Sequence, residues 1–343
     1  MDQFPVAENC LLIGGRELTA IAEEVGATPF YAYDRALLQR QTEALRGILP
    51  ESLKLHYAIK ANPMPALVNY MATLTDGLDV ASAGELRLAL AAGVLPTQLS
   101  FAGPGTSELD LTSAIDAGVI ISVESERELE RIEKLSADRH TRARVAVRVN
   151  PEFELKNSGM KMGGSPKPFG IDAERAPDVL ARIGQLDLEF VGFHIFSGSQ
   201  NLRPEAIVEA QSKTFELAFR LADSAPAPVR WLNIGGGLGV PYFPGERRLD
   251  LAPIAENLAP LLDKAAERLP GAEIVMELGR YLVAEAGIYV CRIIDKKISR
   301  GETFLVTDGG LHHHLALSGN FGQVIRKNYP VCLGNKVDES RTE

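Results

Sequence analysis

The stretch LHYAIKANPMPALVNYMATLTDGLDVASAGELRLALAA, residues 55–92, decides the architecture. It opens on a short apolar run at 55–59 and continues through 65–74 with apolar residues at three- and four-residue steps. A second strand-like run follows at 77–81, and a second helical period at 85–92. Strands separated by helices of this length pair in parallel, because a parallel connection needs a crossover that a tight turn cannot make. The alternation persists along the chain. Further strands are expected at 99–102, 119–123, 143–149, 190–196, 231–234 and 274–278, and helices at 126–135, 206–221 and 254–269. Eight such units predict an α/β fold with a closed (β/α)8 TIM barrel over residues 30–283, a doubly wound open sheet being the structural alternative. Beyond Arg280 the period changes, and 286–296 and 302–308 read as strands without a long helix between them. Residues 1–29 and 284–343 are therefore expected to form a second, β-rich domain.

Charge and composition narrow the function. The chain has 36 Lys and Arg against 45 Asp and Glu, a formal net charge of -9, and no basic run that reverses this locally, so nucleic acid is not an expected partner. No apolar stretch approaches the length of a membrane span, and residues 1–10 lack the basic-then-apolar order of an export signal. Cys10, Cys291 and Cys332 are few, distant and odd in number, which fits a reducing cytoplasm and not a disulfide framework.

In a (β/α) barrel the chemistry collects at the carboxyl ends of the strands. Those ends carry Lys60 with Asn62, Asp79 with Ser82, Glu124, Arg148 with Asn150, His194 with Ser197, the glycines Gly235, Gly236 and Gly237, and Glu277 with Arg280. A lysine closing a buried strand is poised for carbonyl chemistry if its charge is suppressed; a rim lysine paired with a carboxylate such as Asp79 is the plain alternative. Consecutive glycines let backbone N–H groups converge on an anion, although a tight turn would look the same. His194 reads as a site residue or as a satisfied core histidine, and Glu277 as a functional carboxylate or as a structural partner of Arg280. His312, His313 and His314 adjoin one another and point different ways, so no metal site is expected.

These residues resemble the fold-type III pyridoxal-phosphate decarboxylases, which include the diaminopimelate, ornithine and arginine decarboxylases. The resemblance rests on Tyr57 to Asn62, Asp79 to Leu86, His194 to Gln200, Gly235 to Gly237, Glu277 to Tyr281 and Asp308 to Gly310. It implies an alanine-racemase-like barrel, a C-terminal β domain, pyridoxal 5'-phosphate as cofactor, and a head-to-tail homodimer. It makes Lys60 the Schiff-base lysine, sets His194 on the coenzyme ring, and places Ser197, Gly235, Gly236, Gly237 and Arg280 about the phosphate. Glu277 would bind the pyridine nitrogen, Asp79, Glu85 and Arg148 would lie near the lysine and ring, and Asp308 would meet the substrate.

Met160 to Gly164, Phe169-Gly170, Val240 to Phe243 and Gly310 to His314 resemble a subgroup in which one member decarboxylates a glutamyl group on an acyl carrier protein. Others of that subgroup are associated with exosortase and exopolysaccharide gene clusters. Leu278 stands where many diaminopimelate enzymes have proline. The chain ends at Glu343, ahead of the family's Gly-Pro-x-Cys-x-x-x-Asp segment, so a β-rich domain lacking its C-terminal part is expected. The function implied is decarboxylation of an amino acid, free or carrier-linked. An amino-acid racemase and a non-catalytic coenzyme-binding homologue are the competing readings.

Overall fold

The computed structural model describes residues 2–156, 160–243, 245–314 and 330–339; of Met160 and Lys161 only the backbone is described. The expected β-rich segment 284–343 and the Met160-Lys161 motif thus fall partly outside the described residues. The chain divides into two compact units, Gln41–Val240 with Arg248–Val283, and Met1–Arg40 with Pro241–Arg247 and Ala284–Glu343.

The first of these is the barrel. Its strands are β1 (Lys54–Ala58), β2 (Gly77–Val80), β3 (Leu99–Ala102), β4 (Ile120–Val123), β5 (Arg144–Asn150), β6 (Glu189–Ile195), β7 (Trp231–Asn233) and β8 (Glu273–Leu278). Each pairs in parallel with the next, β4 pairs with β5, and β8 returns to β1, so the sheet closes. The helices that connect successive strands are α1 (Pro65–Met71), α2 (Ala83–Ala91), α3 (Glu108–Ala117), α4 (Glu126–Asp138), α5 (Ala176–Ile183), α6 (Pro204–Ala222) and α7 (Ala252–Arg268). The open-sheet alternative is excluded by the closure. Lys60 does not end a strand: β1 stops at Ala58, and Ile59–Ala61 forms a short 3-10 turn ahead of Pro63.

An apolar layer of Ile120, Ala146, Val191, Trp231 and Val275 fills the barrel. Strand side chains alternate between faces, so the residue two places on returns to the interior. Those residues are Ser122, Arg148, Asn233 and Glu277, all buried. A polar layer is thereby stacked on the apolar one.

Strand β6 departs from this rule. Its register against β5 shifts between Phe190 and Gly192, so that two residues oppose one. The extra residue puts Val191 and His194, three apart, on the same inner face, while Phe190 and Phe193 meet edge-on at 5.5 Å. Without this bulge, His194 would face outward. The bulge requires glycine at 192, where φ is +153° and a Cβ would lie 1.7 Å from the carbonyl oxygen of Trp231.

The second unit contains the antiparallel strands Val6–Ala7, Cys10–Ile13 and Arg16–Glu17, the pair Phe30–Tyr33 and Gly287–Val290, and the hairpin Ile293–Ser299 with Glu302–Thr307. Phe4, Cys10, Leu11, Ile13, Leu18, Ala32 and Val290 form its core. Two readings of the sequence change here. Residues 30–33, read as the start of the barrel, pair with Gly287–Val290 in this unit. The run 286–296, read as one strand, splits into two that have different partners.

Gly192→Ala tests the role of the bulge. The added methyl group meets backbone that cannot swing aside, and the expected loss is about 3 kcal/mol or more of unfolding free energy. Denaturant titration measures it; a loss under about 0.5 kcal/mol, the range of an ordinary surface change, would contradict the proposed geometry.

Candidate active site

Glu277 on β8 is the most constrained group of the polar layer. Its Oε1 lies 3.5 Å from Lys60 Nζ. Its Oε2 accepts a 3.0 Å hydrogen bond from Asn233 Nδ2 on β7 and lies 3.2 Å from His194 Nε2 on β6. Burial alone would raise this carboxyl's pKa, but the Lys60 ammonium, His194 and Arg148 together hold it well below the usual carboxylate range. The Lys60 side chain stays 60% exposed, so its amine is reachable from the barrel mouth. The plain alternative, Lys60 against Asp79, is not what forms, and neither is a Glu277–Arg280 ion pair among the described residues.

His194 is buried beneath this carboxylate. Its Nδ1 lies 3.2 Å from Ser122 Oγ, and its ring meets Trp231 edge-on. Its Nε2 has the distance but not the alignment of a hydrogen bond to Glu277. His194 is 1% exposed, and it lies against the oxygen of Glu277 that Asn233 also binds.

The turn after β7 combines two functions of glycine. The N–H of Gly235 donates to Asn233 Oδ1 at 2.8 Å. Among the described residues, the N–H groups of Gly236 and Gly237 meet no protein acceptor. A Cβ at Gly236 would lie 2.1 Å from the Glu277 carbonyl oxygen, and one at Gly237 2.6 Å from that of Gly198. Only bare backbone packs this closely, so these glycines are both steric necessities and a source of free donors. The loop after β6 is fastened to this turn. The carboxamide of Gln200 binds both the N–H and the C=O of Val240, and Asn201 exchanges backbone bonds with Gly237 and Gly239. The Ser197 carbonyl accepts from Met162 N–H at 3.1 Å.

The remaining candidates divide. Arg148 is paired with Glu124, stacked 5.2 Å from the Phe169 ring centre, and tied by that carboxylate to Gly170 N–H. Asp79 lies in the interior, where its Oδ1 accepts from Ser100 Oγ and faces His56 Nδ1 at 3.3 Å, while Oδ2 has no partner among the described residues. Glu85 caps a helix: its carboxylate accepts from Ala81 N–H while its own N–H donates to Ser82 Oγ. Ser107 with Asp110 and Ser125 with Glu128 repeat this at α3 and α4, so the Ser-x-x-acid spacing marks helix starts. Asp308 belongs to the other unit, where it accepts from Thr28 Oγ1 and from Arg292 N–H. Sequence reading missed Asn233 and Ser122. An asparagine breaking the apolar run Trp231 to Ile234, two residues before a glycine turn, was the available signal.

Residues 35–284 match the pyridoxal binding domain of the pyridoxal-dependent decarboxylases. The chain belongs to that family. A relative from Niallia circulans, an L-glutamyl-[BtrI acyl-carrier protein] decarboxylase, is 35% identical over 95% of this chain and 77% of its own length. Diaminopimelate decarboxylase from Aquifex aeolicus is 34% identical over 88% of this chain and 71% of that protein. Among solved structures, diaminopimelate decarboxylase from M. jannaschii shares the fold with a TM-score of 0.85 at 23% identity, covering 94% of this chain and 76% of that one.

The pyridoxal-dependent decarboxylases use pyridoxal phosphate, and the residues present fit it. The coenzyme needs an accessible amine, an anion for its protonated ring nitrogen and donors for its phosphate. Lys60, Glu277 and the free N–H groups of Gly236 and Gly237 meet these needs within one barrel mouth. No helix of the described residues is long and apolar enough to cross a membrane.

The depressed pKa of Glu277 has a measurable consequence for the coenzyme-free protein. A carboxyl that binds protons less readily folded than unfolded stabilises the fold fully above its unfolded pKa, here taken as 4.5, and loses that contribution as the pH falls through the folded value. Relative to Glu277→Gln, wild-type stability is therefore expected to hold constant from pH 7 to about pH 5 and then to decline. Urea melts of the two proteins over this range check it; a difference unchanged down to pH 3 would show that the carboxylate is not so held.

Proposed function

We propose that this chain decarboxylates an α-amino acid at the barrel mouth, with Lys60 as the covalent anchor of pyridoxal phosphate. The observation that carries this reading is the 3.5 Å approach of an exposed lysine amine to a buried, ionised carboxylate beside a glycine turn with free N–H groups. When bound, the coenzyme supplies a carbonyl for the amine and a protonated ring that accepts the electron pair left by carbon dioxide.

The chain's own residues divide the remaining work. Lys60 Nζ holds the coenzyme and yields to the substrate amine. Glu277 keeps a proton on the ring nitrogen, aided by the positive groups that keep this carboxylate ionised. Its Oε2 accepts from Asn233 and lies close to His194, which leaves Oε1 for the ring. Gly236 and Gly237, whose N–H groups meet no protein acceptor among the described residues, would hold the phosphate, with Gly235, Ser197 and Arg280 completing that end. Arg148 and Glu124 form a buried pair that steadies the rim through Phe169 and Gly170, and Asp79 lies on β2 opposite Ala58 of β1. A carboxylate facing the ring nitrogen supports decarboxylation over racemisation, because a protonated ring is the stronger electron sink.

The substrate we favour is an α-amino acyl group presented by an acyl carrier protein, on the strength of the relative that matches 95% of this chain. Free diaminopimelate is the second reading, favoured by the relative from Aquifex aeolicus. Asp308 is assigned to substrate contact and a second copy of the chain to a homodimer. A cytoplasmic setting accords with cysteines that are few, distant and odd in number.

Borohydride reduction of the yellow holoenzyme is expected to fix the coenzyme's mass on the peptide that contains Lys60, and Lys60→Ala to stay colourless. Carbon dioxide release from carrier-linked glutamate, free glutamate and diaminopimelate then ranks the substrates. Glu277→Gln should keep the colour and lose roughly 10²-fold or more in turnover. Label on another lysine would remove Lys60 from its role, racemisation without gas would favour a racemase, and silence on every substrate a binding protein.

A further inference from the structure

Asn233 is completely buried in the polar layer, and no reading of the sequence assigned it a part. Its carboxamide is engaged at both ends. Nδ2 donates to Glu277 Oε2 at 3.0 Å, and Oδ1 accepts from Gly235 N–H at 2.8 Å. The orientation of the amide follows from its partners. A flipped carboxamide would set oxygen against a carboxylate oxygen and NH2 against a backbone N–H, two repulsions in place of two bonds. We propose that Asn233 is a positioning residue that spans the coenzyme site, holding the carboxylate for the ring nitrogen and the glycine turn for the phosphate in a fixed relation.

The inference rests on the roles given to Glu277 and the glycine turn in the proposed function, and it adds a mechanical link between them. By occupying Oε2, the amide assigns Oε1, the oxygen nearer Lys60, to the mouth of the barrel. By occupying Gly235 N–H, it sets the entry to a turn whose next two N–H groups remain free. The backbone reinforces the link, since Glu277 N–H donates to the Gly235 carbonyl at 2.9 Å. A coenzyme whose ring nitrogen and phosphate bind at separate points needs those points held at a set spacing. One side chain that touches both supports does this with the least freedom.

An aspartate at this place would keep the acceptor for Gly235 and lose the donor to Glu277. Two carboxylates would then face each other in a buried layer. Lys60 from the turn after β1, His194 on β6 and Arg148 on β5 are the titratable and charged groups that act on Glu277 there. Such a pair retains one proton to a higher pH than either group alone.

The two ends can be tested separately in full-length protein loaded with pyridoxal phosphate. At the turn, coenzyme affinity measured by fluorescence titration of the apoprotein is expected to fall about tenfold in Asn233→Ala, and to stay within about threefold of wild type in Asn233→Asp. At the carboxylate, the ring-nitrogen signal of 15N-labelled coenzyme should pass through one titration step between about pH 5 and 9 in Asn233→Asp, and remain steady in wild type and Asn233→Ala. A merely structural asparagine would lower stability in both variants without this crossed pattern. Unchanged affinity in Asn233→Ala, or no titration step in Asn233→Asp, would overturn the proposal. Should Asn233→Ala fail to fold, the titration of Asn233→Asp decides alone. Borohydride labelling of wild-type Lys60 separates the two levels: with no label the parent assignment has failed, and with label present a null result counts against Asn233 only.

Discussion

A negative charge held inside a barrel is the constraint around which this protein is arranged. An isolated carboxylate moved from water into a protein interior is strongly disfavoured, and Glu277 persists ionised only because Lys60, His194, Asn233 and the field of Arg148 surround it. Each partner comes from a different strand or strand end, so the charge is tolerable only when the barrel is closed and in register. Fold and chemistry are therefore linked at one side chain. The apolar layer of Ile120, Ala146, Val191, Trp231 and Val275 provides the floor, and strand alternation sets the polar layer two residues above it.

That layering explains why β6 carries a bulge. Its native alternation would have directed His194 outward, towards the helices. The two-against-one pairing at Val191 and Gly192 rephases the strand within a single residue, and the glycine is demanded by the carbonyl of Trp231. Local irregularity here turns a candidate site residue inward, as bulges beside active sites commonly do. The glycine turn after β7 follows the same logic, since close packing against Glu277 and Gly198 excludes side chains and leaves backbone donors exposed.

Most of the barrel was legible in the sequence because eight apolar runs, each bounded by helical period, have few other solutions. Strand ends were displaced by a residue or so, and Lys60 moved from strand end into a turn because Pro63 and the bond from Asn62 N–H to Ile59 reshape that segment. Less visible were features that depend on a neighbouring strand. The bulge at Gly192 exists only relative to Ala146, and Asn233 lies within an apolar run where one polar letter gives no hint of two partners. Glu85 was set near the lysine and ring by resemblance alone; the Ser-x-x-acid spacing repeated at three helix starts also gives it a capping role. His194 stood out in the sequence as a candidate, yet its depth beneath Glu277 could not be read from its spacing.

The central claim is that one barrel mouth holds pyridoxal phosphate between Lys60, Glu277 and the turn at Gly235 to Gly237. A crystal structure of the protein grown with the coenzyme tests it most directly. Continuous density is expected from Lys60 Nζ to the coenzyme, with its ring nitrogen at hydrogen-bond distance from Glu277 and its phosphate against the N–H groups of Gly236 and Gly237. A ring nitrogen turned towards any other side chain, or a phosphate bound away from that turn, would contradict it.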